Sequence, residues 1–162
     1  MKVKQLTLVS LMIALSVLGG YFKIFGSIAL DTAPAILGTI LLSPTYGIVL
    51  AFLGHMSSAL LSGFPLSLPI HLIIGVMMSL TLFVFGKVRG KRTNKKTMIM
   101  SDIVLFIFNV FVAQIPLIPI LGFGVLSTLL VPLSLATVIN IVAAEVIYYA
   151  LPDRLIMDFQ PE

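Results

Sequence analysis

The chain has 162 residues, of which 59% are apolar and only 10% charged, and its mean hydropathy is +1.18. A soluble domain carries about 25% charged residues, so a water-facing surface is excluded and lipid is the expected solvent for most of it. Six of the ten basic residues behind the net charge of +4 fall between Lys87 and Lys96, in one block without interleaved aromatics. That pattern is a topology signal and not a nucleic-acid surface.

Lys2 and Lys4 precede a first apolar span over 6–22, which lacks a clean small-x-small cleavage site and reads as a retained helix. A short mixed stretch with Lys23 and Gly26 leads to Asp31-Thr32-Ala33-Pro34 and a second apolar segment, 32–43. Asp31 suits a helix N-cap and Pro34 a first helical turn. This segment reaches only about 18 Å at 1.5 Å per residue, short of a bilayer's ~30 Å. Spans three and four follow over 46–61 and 69–86, separated by a loop punctuated by Gly63, Pro65 and Pro69. The basic block comes next. If it shares a cytoplasmic side with Lys2 and Lys4, an even number of crossings must separate them, so the short segment counts.

The fifth span covers 98–115 and ends at Pro116, Pro119, Gly122 and Gly124, a region that reads equally as a loop or a broken helix. The sixth covers 126–151, with Pro132 near its start and Tyr148 and Tyr149 suited to an interfacial aromatic belt. The expected fold is therefore an all-α membrane bundle of six transmembrane helices in a single domain, 1–162. Both ends lie in the cytoplasm, at a prokaryotic plasma membrane.

Polar side chains are informative in such a setting because an acidic residue at mid-helix costs about 2.5–3.5 kcal/mol. Counted from the helix ends, Asp31, His71 and Gln114 fall in the outer half, and Asn109, Asn140 and His55 nearer the middle. Glu145 and Asp102 fall in the inner half. Asp31, His71, Asn109, Gln114 and Asn140 are expected to converge on one outward cavity, as in small-ligand pockets. Phe64, with Tyr21, Phe22 and Phe25, offers flat faces for stacking. Each also has a plain structural role: Asp31 as a cap, the asparagines as interhelical glue, His71 as an interfacial group. His55 and Glu145 are expected to pair with each other, and Asp102 to be solvated. Ser10 and Ala14, four apart on the first span, make a small-residue face for close helix approach.

Cysteine chemistry is absent because the chain has no cysteine. Nothing resembles a phosphate-binding loop, a nucleophile elbow or an HExxH helix, so neither ATP hydrolysis nor a cofactor is expected. The two histidines lack a matching carboxylate spacing, so no metal is expected either. A membrane enzyme using Glu145, His55 and Asp102 from the inner side is the alternative class. A third is a purely structural protein whose polar groups only pair with one another.

The layout resembles the substrate-binding S component of energy-coupling factor (ECF) vitamin transporters. The resemblance rests on Ile28-Ala29-Leu30-Asp31-Thr32-Ala33-Pro34-Ala35, Leu42-Ser43-Pro44-Thr45-Tyr46-Gly47, Gly54-His55, and Gly63-Phe64-Pro65 with His71. It implies a bundle that binds a vitamin or precursor from outside and docks on a transmembrane coupling (T) subunit driven by two cytoplasmic ATPases. It also implies docking through small residues of the first helix, which Ser10 and Ala14 match and Leu18 does not. The Asp-Thr-Ala-Pro and Gly-Phe-Pro segments look most like those of the α-ribazole type, with pantothenate, a queuosine precursor and a thiamine precursor as rivals.

Overall fold

The computed structural model describes residues 3–21, 23–24, 28–29, 31–90 and 94–159. Among the described residues, five helices or helical stretches are long and apolar enough to cross a membrane. They are α1 (Val3–Tyr21), α3 (Pro44–Leu61), α4 (Leu68–Arg89), the stretch Lys95–Leu121, and α7 (Gly124–Ala150). Between α1 and α3 lie a two-residue antiparallel ladder, β1 (Lys23–Ile24) with β2 (Ile28–Ala29), and the nine-residue α2 (Ala33–Leu41). A short α8 (Asp153–Phe159) follows α7.

Helix α2 is the hub. Seven of its nine residues are buried, and it packs against α1, α3, α4 and α7. Ile36, Leu37 and Leu41 meet Leu8 and Met12 of α1, Leu50 of α3, and Leu82 and Phe85 of α4 in the main apolar cluster. The long helices instead leave apolar side chains such as Leu11, Val76, Ile103 and Val142 facing outward, the arrangement expected of a surface wetted by lipid tails.

Side-chain contacts fix which helix ends lie together. Lys4 Nζ, near the start of α1, is 3.2 Å from Asp158 Oδ2 of α8. Tyr46 Oη, at the start of α3, donates to Gln5 Oε1 at 3.1 Å. The starts of α1 and α3 therefore share one end of the bundle, and the chain between them must return across it. Nine helical residues span only about 14 Å. Helix α2 begins deep in the bundle, beside Asn140 in the middle of α7.

Asn140 satisfies backbone groups of the preceding chain and of α2 at that depth. Its Oδ1 accepts from the Ala33 amide at 2.7 Å, and its Nδ2 donates to Ala29 O at 2.7 Å and to Ala136 O at 2.8 Å. One amide thus supplies hydrogen bonds to an orphan helix N-terminus and to the neighbouring strand, which water would otherwise have to provide. The expected cap on α2 is corrected accordingly. The N-cap residue is Thr32, without a side-chain cap bond, and Asp31 is released from that duty.

The fifth stretch is a broken helix. Asn94 and Thr97 form a capping box that starts α5 (Lys95–Val110). A 3-10 turn over Val112–Leu117 contains Pro116, and a single turn, α6 (Ile118–Leu121), ends at Gly122 with φ +78°. Proline lacks the amide that the helical ladder needs, so Pro116 falls in the 3-10 turn, while Pro119 sits in the first turn of α6, where no amide is required. Close helix approach is confined to a few glycines. A Cβ on Gly20 would lie 2.4 Å from Ser58 Oγ, and one on Gly54 would lie 3.0 Å from Ser16 Cβ. The face that α1 turns to α3 is therefore Ser16 and Gly20, whereas Ser10 and Ala14 lie on its exposed side.

Candidate functional site

The helix halves opposite the basic segment enclose a cavity of about 420 Å³. Its walls come from the N-terminal end of α2, residues 55–62 of α3, 71–78 of α4, 105–117 of α5 and the turn after it, and 129–140 of α7. Five of the six residues expected at a ligand site line it: Asp31, His71, Asn109, Gln114 and Asn140. Phe64 does not. Its ring packs against His71, with centroids 5.7 Å apart, from a backbone with φ +49°, so it braces the imidazole from outside the cavity. Stacking by Phe22 and Phe25 lies outside the described residues, and Tyr21 is exposed.

The polar groups divide by how fully they are used. Asn140 spends its amide on Ala29, Ala33 and Ala136, which is the glue role. Asn109 Nδ2 donates to Thr137 Oγ1 at 2.8 Å, and that hydroxyl donates in turn to Leu133 O. Gln114 Nε2 bonds back to Val110 O, and its Oε1 is buried with no hydrogen-bond partner among the described residues. His71 Nδ1 meets His55 Nε2 at 3.2 Å, while His71 Nε2 is likewise buried and unpartnered. Both side chains are more than nine-tenths buried. An unmet buried acceptor or donor costs about 1–3 kcal/mol. Asp31, on the cavity wall, accepts from Thr32 Oγ1 at 3.1 Å and is also hydrogen-bonded by the Ser58 side chain.

The expected pairing of His55 with Glu145 is corrected by the structure. Residue 145 is only five positions from the end of the 27-residue α7, close to the basic segment, whereas His55 lies in the cavity wall beside His71. Glu145 instead takes a two-pronged bond from Arg89, Nη1 to Oε1 at 2.6 Å and Nη2 to Oε2 at 2.8 Å. Asp102, expected to be solvated, stands 3.7 Å from the same Nη1 with its side chain 20% exposed. Arg89 is 1% exposed and lies over the Tyr148 ring at 5.6 Å, so Tyr148 does more than mark an interface. Reading the whole basic block as a topology signal conceals Arg89. The usable clue is its position at the end of an apolar helix, facing two intramembrane carboxylates that need a cation. The separation of His55 from Glu145 and Asp102 also removes the constellation on which the enzyme alternative depends.

Comparison with known proteins decides the family. The model for "ECF transporter, substrate-specific component" matches residues 4–152. The chain belongs to that family. Searches of curated proteins and of solved structures returned no match. Membership makes the protein a multi-pass membrane component of a transport system, in a family of transporter subunits and not of enzymes. The substrate-specific components of ECF systems act with T and ATPase subunits.

Proposed function

We propose that this S component captures a vitamin or vitamin precursor in the 420 Å³ cavity from the outer side of the cell membrane, for uptake driven by a T subunit and two cytoplasmic ATPases. The observation that carries the reading is the pair of buried, unpartnered atoms, His71 Nε2 and Gln114 Oε1, on the wall of a void. Arg89 Nε and Asp102 Oδ1 are also unpartnered among the described residues, but they lie away from the cavity lining, so of the four only His71 Nε2 and Gln114 Oε1 border a space that a ligand can fill. Asp31, His71, Asn109 and Gln114 are the contacts, Asn140 holds the wall, and Phe64 holds His71. The cavity lies at the end away from the basic segment, which supports an outward mouth under the positive-inside rule. The returning path through α2 supports six crossings in one domain with both ends in the cytoplasm. Among ligands, α-ribazole is the best candidate: a neutral heteroaromatic body suits apolar walls with few ionic groups.

The exposed side of α1, with Ser10 and Ala14, is the docking face for the T subunit, where small side chains allow close approach. Isothermal titration of the detergent-purified chain against vitamins and their precursors tests the reading. One compound binding with unit stoichiometry, at least tenfold more weakly in Gln114→Leu, is expected. Failure of every compound to bind removes the capture role.

A further inference from the structure

The charge on the described part of the cavity wall is one-sided. Among the described residues that line it, Asp31 is the only acid, and no lysine or arginine is present. The nearest buried guanidinium, Arg89, is held by Glu145 at the other end of the bundle. The two imidazoles do not supply a reliable cation either. The His55 Nε2 to His71 Nδ1 hydrogen bond needs a bare nitrogen on one ring, so at least one of them is neutral.

The unmet atoms point the same way. Gln114 Oε1 can only accept. Asp31 accepts from the Thr32 and Ser58 side chains and presents its carboxylate on the cavity wall. His71 Nε2 presents a donor or an acceptor according to which ring holds the shared proton, so it adapts to either partner. A ligand carboxylate or phosphate entering here would shed water, find no lysine or arginine among the described lining residues and face an acidic side chain. A hydroxyl, an amide N–H or an ammonium group would meet two acceptors.

Resting on the capture reading, we propose that the cavity selects a ligand without negative charge, a neutral or cationic compound offering hydrogen-bond donors to Asp31 and Gln114. Asp31 is the residue that rejects carboxylates and phosphates. The selection sets a substrate class, because vitamins and their precursors occur in both charged and uncharged forms.

The experiment uses compounds matched except for charge: α-ribazole with its 5′-phosphate, and panthenol with pantothenate, each titrated into the full-length chain in detergent. In whichever pair binds, the uncharged member is expected to bind at least 30-fold more tightly than the anion. Asp31→Asn is expected to shrink that ratio to below about fivefold, mainly by improving the anion. Equal or tighter binding of an anion by the unaltered protein overturns the inference while leaving capture intact, and it needs no variant that folds. An unchanged ratio in a folded Asp31→Asn protein overturns the assignment to Asp31. Absence of binding by all four compounds and by the wider panel defeats the capture reading itself, and this inference with it.

Discussion

The two ends of the bundle treat buried polarity in opposite ways. Near the basic segment, Arg89 and Glu145 satisfy each other through a two-pronged bond, Asp102 adds a second carboxylate, and the Tyr148 ring covers the guanidinium. At the far end, five helices and a turn surround a void, and the amides and imidazoles on its wall leave atoms unmet. The first arrangement pairs its main charges and joins α4 to α7 with α5 alongside, although Arg89 Nε and Asp102 Oδ1 are themselves buried without a hydrogen-bond partner among the described residues, away from the cavity lining. The second borders a cavity, which the proposed ligand fills. Polar residues inside a membrane protein therefore carry different meanings according to whether the protein itself supplies the partner.

The contrast is sharpest in the response to substitution. Glu145→Leu strands a buried guanidinium, and loss of one partner of such a pair costs about 3–5 kcal/mol. Thermal unfolding in detergent should show a larger drop than substitution at Asn140, Gln114 or Ala14 produces, with ligand affinity in the surviving folded protein little altered. The triple variant Arg89→Met, Asp102→Asn and Glu145→Leu should recover most of the loss, since it removes the guanidinium together with both carboxylates that face it. If it does not, the inner cluster is more than a fastener.

Asn140→Leu tests the one residue that belongs to both categories. It should lower stability by about 1–3 kcal/mol, because Ala33 N and Ala29 O lose their partner. Binding should also weaken as α2 and Asp31 shift. A loss of binding without a loss of stability would move Asn140 from the wall to the contact set. Gln114→Leu should do the reverse of Glu145→Leu. It removes an unmet acceptor, so stability should change by less than about 1 kcal/mol, while ligand affinity falls by tenfold or more. Smallest of all in both measurements is Ala14→Phe, on the exposed side of α1. It should leave folding and binding as they are and abolish uptake in cells containing the partner subunits.

Much of this is legible in the sequence. Long apolar runs bounded by Gly and Pro give the helices, because lipid demands internally satisfied backbone and leaves few alternatives. Convergence of Asp31, His71, Asn109, Gln114 and Asn140 follows from counting depth along helices that run back and forth. What counting does not supply is rotation about each helix axis. It therefore places Phe64 in the cavity, where the structure has it bracing His71 from outside, and joins His55 to Glu145. Asn140 as the cap of α2 is hidden because its partner is 107 positions away. Arg89 is hidden by its basic neighbours, since composition does not tell a buried cation from the solvated ones beside it.

The most direct measurement is calorimetric titration of the binding compound into the unaltered chain, Gln114→Leu and Glu145→Leu side by side. One site per chain, weakened at least tenfold by the first substitution and less than threefold by the second, is the expected result. Equal affinity in all three proteins, or binding that tracks stability alone, would contradict the assignment of the guest to the unmet atoms of the cavity.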